Sequence, residues 1–229
     1  NSAKIFFGDS SSNDPGVIEY DHTNNRMRFG TNNTEDRFII DHNGRVLIGN
    51  TTGGLMNAAA DNLVVGSGVG HNGITVFSAA DADGWLIFND AANSNLTGTI
   101  QYNHVDNYME FRTNTSPRLR INSSGNMGLG VTPNANWPDG DFRALQLGTG
   151  MSIFGRGSGD EDRGGIAVNY YHTGSAQKYI GNGHAGRIYF EDGSIIFSNT
   201  GPTANSSGAG AALTLIERLK IEQTGLATF

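Results

Sequence analysis

Tyr170, Tyr171, His172, Tyr179 and Arg187 gather aromatic faces and hydrogen-bonding tips within one loop-rich stretch. Flat amphipathic rings with polar tips suit sugar rings, so these five are the candidate glycan contacts. The competing reading is that alternate tyrosines simply pack the interior. Carboxylates also cluster, at Asp81-Ala82-Asp83-Gly84 and at Asp160-Glu161-Asp162. Calcium takes about six to eight oxygen ligands, and neither run continues into a full calcium loop, so both read as solvated acidic turns. Glycoside cleavage needs two carboxyl groups about 5 to 9 Å apart. Asp160, Glu161, Asp162, Glu191 and Asp192 could supply such a pair in the third module, and spacing along the chain does not establish that geometry. His22 and His104 hold equivalent turn positions, while His71, His172 and His184 have no ligand spacing. The strings Gly66-Ser67-Gly68-Val69-Gly70 and Gly155-Arg156-Gly157-Ser158-Gly159 lack the following helix that a phosphate site requires. No catalytic residue, metal ligand or cofactor is therefore assigned, and the chain is not expected to be an enzyme.

The elements that must position these groups come in copies. The segments Arg37–Gly49, Arg118–Gly130 and Arg218–Phe229 repeat one phrase, and residues 3–31 and 85–113 run in register at a constant offset of about 82 positions. Ile18 falls on Ile100, Tyr20 on Tyr102, Met27 on Met109 and Phe29 on Phe111. The third copy is looser and carries an insertion at about residues 160–186. Three modules follow, at residues 1–54, 55–136 and 137–229. Leu63-Val64-Val65-Gly66 and Leu145-Gln146-Leu147-Gly148 echo one another near the starts of the second and third.

Within the modules the apolar residues alternate with polar ones, as in Val17-Ile18-Glu19-Tyr20-Asp21 and Thr99-Ile100-Gln101-Tyr102-Asn103, which is the period of a half-buried strand. Asp21 to Asn25 and Asn103 to Asn107 turn one hairpin in each copy. Asp41-His42-Asn43-Gly44 turns a second, with the Asn-Gly step expected at positive φ. Leu215, Ile216 and Leu219 have some helical spacing, but their place in the repeat predicts that Leu213 to Ile221 is extended. Trp85 and Trp137 are expected to pack at module junctions.

Composition agrees with an exposed, many-turned β protein. Only 16% of the 229 residues are charged and 33 are Gly, against about 25% charged residues in ordinary globular chains. The net charge of −7 and the lack of a basic run argue against a nucleic-acid partner. No apolar stretch is long enough to span a bilayer, and the start at Asn1 has no secretory-leader pattern. The expectation is a soluble fragment of a longer protein. With no cysteine, disulfides and thiol chemistry are out of reach.

Short amphipathic strands with many loop residues leave little aliphatic material for a private core in each module. Packing against identical chains would supply one. The expected core of such a trimer, or of the modules themselves, is Ile18, Tyr20, Met27, Phe29, Phe38, Ile40 and Ile48 in the first copy. In the second it is Ile100, Tyr102, Met109, Phe111, Leu119, Ile121 and Leu129, and in the third Leu219 and Ile221.

The phrase Arg-hydrophobic-x-Ile-x-x-x-Gly-x-hydrophobic-Gly-hydrophobic-Gly, preceded by a Met-x-Phe-x-Thr-Asn hairpin, resembles repeat modules of bacteriophage tail-fibre and tailspike proteins, of the type that often precedes a self-cleaving intramolecular chaperone domain. Arg118 to Pro133 matches best, then Arg37 to Thr52. The third copy departs, with Leu226-Ala227-Thr228-Phe229 at its end. The resemblance implies an all-β, elongated homotrimeric fibre, of β-prism or intertwined triple β-helix type, in the extracellular virion. It would contact other tail proteins and host-surface polysaccharide. A tailspike polysaccharide depolymerase and a bacterial extracellular fibre or adhesin built from the same modules are the alternatives.

Overall fold

The computed structural model of the protein describes residues 1–11, 15–51, 57–137, 142–156, 162–201 and 208–229, without the side chains of 93–95. The fold is all-β, with no helix among the described residues, and hence no helix long and apolar enough to cross a membrane. The described residues gather into two compact units, Asn1–Thr75 and Val76–Phe229. The junction between the first two expected modules, at residues 54 and 55, lies outside the described residues.

The first unit is a six-stranded sheet in chain order, β1 (Ser2–Phe7), β2 (Gly16–Asp21), β3 (Arg26–Thr31), β4 (Thr34–Ile40), β5 (Val46–Ile48) and β6 (Leu63–Val65). The first five strands form an antiparallel meander, and β6 adds in parallel to β5. The second unit repeats this plan with β7 (Asp83–Asp90), β8 (Asn93–Asn103), β9 (Tyr108–Thr113), β10 (Ser116–Ile121) and β11 (Met127–Leu129), and β12 (Phe142–Leu147) adds in parallel to β11. The echo between Leu63–Gly66 and Leu145–Gly148 thus marks the same parallel step in both units. The sheet continues through β13 (Met151–Arg156) and β14 (Gly164–Val168). A small separate hairpin follows, β15 (Tyr171–His172) with β16 (Gln177–Lys178). The main sheet then ends with β17 (Gly186–Glu191), β18 (Ser194–Asn199), β19 (Ile216–Ile221) and β20 (Ala227–Thr228). Residues 216 to 221 are extended, as the repeat predicts, whereas Leu213 to Leu215 are not in a strand.

The turns explain the repetition. Gly44, Gly125 and Gly225 each donate a backbone N–H to the residue three positions back, Asp41, Asn122 and Glu222, at 2.8 to 2.9 Å. Positive φ is carried there by Gly44 alone, at 80°, not shared with Asn43; the Asn-Gly step is not the two-residue turn its sequence suggests. That geometry falls instead at Asn32-Asn33 and Asn114-Thr115, where both central residues have φ between 49° and 62°, as a twisted two-residue hairpin requires.

Cross-strand registers sort the alternating residues into two faces. On one face of the first sheet Ile5, Ile18, Phe29, Phe38, Ile48 and Val65 stand side by side, with Ala3, Tyr20, Met27, Ile40, Val46 and Leu63 in the next row. In the second sheet one row runs from Tyr102 through Met109, Ile121, Met127, Leu145, Ile153, Ile166, Ile188 and Phe197 to Leu219. None of the residues expected in the trimer core is buried within the single chain; Ile40 and Ile48 are each 40% exposed and Leu129 is 50% exposed.

The opposite face is the covered one. In the first unit it holds Glu19, Arg28, Ile39 and Leu47, all buried. In the second it holds Gln101, Glu110, Gln146 and Ser152 and then an aromatic core. Trp137, Phe142, Phe154, Tyr170, Tyr171, Tyr179 and Tyr189 pack there with Ile196, Leu213 and small residues. Trp137 is buried as expected, while Trp85 is half-buried.

Candidate functional site

The insertion folds over the back of the second sheet. At the end of β14, Asn169 turns the chain with φ of 53°. Its Oδ1 accepts the Gly181 N–H at 2.7 Å, and its Nδ2 donates to the Gly183 carbonyl at 3.1 Å. Ser152 Oγ, fully buried on β13, donates to the Tyr170 carbonyl at 3.0 Å. The segment after residue 208 closes the other side, with Leu213 N–H donating to the Gln177 carbonyl at 3.0 Å and Tyr179 N–H to that of Ala211 at 3.1 Å. These bonds hold β15 and β16 against the strands behind them.

Between this hairpin and the sheet is a cavity of about 300 Å³, at the lower end of the usual range of roughly 300 to 1,000 Å³ for ligand sites. Strands β13 and β17, the residue before β14 and the β15–β16 hairpin contribute Arg156, Arg187, Arg163, His172 and Gln177 to its lining. The five glycan candidates divide here. Tyr170, His172 and Arg187 line the cavity and Tyr171 and Tyr179 do not, while all three tyrosines are buried in the aromatic core.

Arg187 is the centre of the arrangement. Its guanidinium carbon lies 4.1 Å from the centroid of the Tyr189 ring and 5.5 Å from that of Tyr170, distances at which a cation is attracted to the ring face. One terminal nitrogen donates to the Tyr170 hydroxyl at 3.2 Å. Burial pushes the Tyr170 hydroxyl up to about 12, against the opposing charge and hydrogen bond of Arg187. Burial also raises Tyr189. Arg187 Nε and Gln177 Oε1 are both buried without a hydrogen-bond partner among the described residues. Around them, Arg163 pairs with Glu191 at 3.2 Å, and Arg156 faces Phe142 at 5.9 Å. His172 accepts the Gly174 N–H on Nδ1 at 2.9 Å with its ring 5.0 Å from Phe142.

Other candidate chemistry does not converge. Glu191 and Asp192 both face Arg163, while Asp160, Glu161 and the Gly157-Ser158-Gly159 string lie outside the described residues. No group of three His, Asp or Glu side chains among the described residues is placed to hold a metal ion. His22 and His104 sit edge-on to Tyr20 and Tyr102, each with ring centroids 4.9 Å apart. Arg156, Arg163, Gln177 and Tyr189 were not legible as site residues, since only the register of β13, β14 and β17 brings them together. No protein-family model, curated protein or solved structure matches this chain.

Proposed function

We propose that this chain is a structural module of a bacteriophage tail fibre, which assembles as a homotrimer through its apolar sheet faces and presents the third-module cavity to host-surface glycans. One observation carries the reading: in both units the apolar rows are left open in the single chain, while the repeated strands turn charged and amide side chains such as Glu19, Arg28, Gln101 and Glu110 to the protected face. A soluble domain ordinarily does the reverse, and contiguous exposed apolar surface marks an interaction site. Identical chains are the fitting occupant, because both units present the same repeated rows at the same strand spacing, so copies in register meet like with like. The repeat phrase that resembles tail-fibre modules supplies the biological setting.

Light scattering behind a sizing column is expected to give the mass of three chains, and the assembly to persist in unheated detergent. Replacing Phe29 and Phe111 by Asp places charges in the open rows, and the mass should fall to that of one chain while the circular-dichroism spectrum stays β-rich. A wild-type protein that runs as a stable monomer at all concentrations would overturn the proposal.

A further inference from the structure

The first unit carries both halves of a strand pair that the single chain leaves unmade. One half is an open edge, since β6 is the last strand of its sheet. Val46 N–H donates to the Asn62 carbonyl and Gly66 N–H to that of Ile48, each at 2.8 Å. Backbone groups alternate sides along a strand, so the N–H and C=O of Leu63 and Val65 turn away from β5, to the outer edge. The other half is Ile74-Thr75-Val76-Phe77, whose β-branched and aromatic residues suit a strand. Among the described residues this segment belongs to no strand and makes no backbone hydrogen bond. Ile74 is 72% exposed and Phe77 96%.

The second unit shows how such halves join. There β12, the counterpart of β6, is followed by Met151-Ser152-Ile153-Phe154 of β13, which matches Ile74-Thr75-Val76-Phe77 in residue type at every position. These strands pair antiparallel, with Leu145 opposite Ile153, Gln146 opposite Ser152 and Leu147 opposite Met151. Residues 148–150 suffice for that turn, whereas 66–73 separate β6 from Ile74. The longer loop is fixed in a form of its own. Asn72 Oδ1 accepts the Ser67 N–H at 3.2 Å, and Nδ2 donates to the Val69 and Gly70 carbonyls at 3.3 Å. A Cβ at residue 66 would lie 2.8 Å from Asn72 Cγ, and Gly66 has a φ of 117°, so the loop requires glycine there.

We infer that Ile74–Phe77 of one copy adds as a strand to the β6 edge of a neighbouring copy, with Val76 opposite Leu63, Thr75 opposite Val64 and Ile74 opposite Val65. This names the contact within the homotrimer proposed above and rests on that reading. Main-chain hydrogen bonds supply the attachment, and Ile74 and Val76 prolong the open apolar rows that end at Val65 and Leu63. Each copy gives one strand and receives one, a head-to-tail contact that can close into a ring.

Because the chain has no cysteine, an introduced pair reports this contact without ambiguity. The double variant Val64→Cys/Thr75→Cys is oxidised and run on a denaturing gel with and without reductant. A reducible band at three chain masses is expected from a closed ring, and neither single variant should link. Val76→Pro removes an N–H that this register donates to Leu63 and that bonds nothing in the single chain. Its circular dichroism should stay β-rich while the concentration at which the assembly half-dissociates rises about tenfold or more. Links formed only within single chains, no links at all, or unchanged assembly of Val76→Pro would each overturn the exchange. The wild-type mass separates the two readings. A trimer without links between chains removes the exchange and keeps the homotrimer, links between chains in an assembly of another size keep the exchange and remove the trimer, and a monomer removes both.

Discussion

The two units solve one problem in different ways. Each has a repeated meander whose apolar face is open, and each must cover the other face. The first does so with charge: Glu19 accepts from Arg28 and lies 3.4 Å from Lys4, while Arg28 also reaches Glu35 and Asp36, each at 3.1 Å. Among the described residues, only Val17, Ile39 and Leu47 are buried hydrophobics there. The second unit keeps a smaller ionic cluster, Glu110 held by Arg112 and Arg120, and adds an aromatic layer to which the insertion contributes Tyr170, Tyr171 and Tyr179. Positions 28 and 110 correspond in the repeat, yet one is the cation and the other the anion of its buried pair. The repeat thus preserves the need for a neutralised pair and not the sign of either partner. A buried pair recovers little beyond its own desolvation, whereas aromatic burial is a net gain, so the insertion gives the second unit a core that the first lacks.

The largest test of this contrast is Trp137→Ala. Truncating the fully buried ring should lower the stability of the second unit by about 3 to 5 kcal/mol. Amide exchange should show lost protection in β12 to β18 and unchanged protection in β2 to β4.

Next, Arg28→Leu leaves Glu19 buried without its main partner and should cost about 3 kcal/mol, read by urea denaturation of the first unit. Adding Glu19→Leu should recover most of it. A double variant no better than the single would mean that the ions are not what covers that face.

Alkaline titration comes third. Tyr170 is raised to about 12 in the fold, from about 10 when unfolded. Its contribution to the second unit is therefore complete below pH about 10 and lost as pH climbs toward 12, about 2 to 3 kcal/mol in all. Acid acts on the first unit with the opposite sign. Asn24 and Arg26, with backbone N–H donors, hold Asp21 far below the usual carboxylate range. Burial raises Glu19 and Asp41, but Arg28 and Arg45 outweigh it, and both end up lowered. The stability from these groups is present above their unfolded values near pH 4 and fades as pH falls further. Exchange protection in the first unit should decline there.

The smallest effect sharpens the comparison of turns. Thr115 holds a φ of 62° where the first unit has Asn33 at 57°, and a β-branched residue is strained there. Thr115→Gly should stabilise the second unit by about 0.5 to 1 kcal/mol, and Asn33→Gly should change the first by less, both read as shifts in midpoint on thermal melting.

The repeat and the paired strands β2 with β3 and β8 with β9 were legible in the residues, because period two, recurrent turn residues and a constant offset are local properties. Strands β13 to β16 and the turns at Asn32-Asn33 and Asn114-Thr115 were not. Membership of one face was also legible: Ile18, Tyr20, Met27 and Phe29 do stand together. Three features were settled only by tertiary structure. Alternation defines two faces without saying which meets protein, and here the polar face is the covered one. Tyr170 and Tyr171 are neighbours in the chain and both are buried in the core, yet only Tyr170 also borders the cavity, a difference that composition does not encode. Arg156, Gln177 and Arg187 are distant in sequence and meet because β13, β14 and β17 pair in one register while β15 and β16 fold across them. Non-local pairing of that kind depends on the whole sheet, and no short segment carries it.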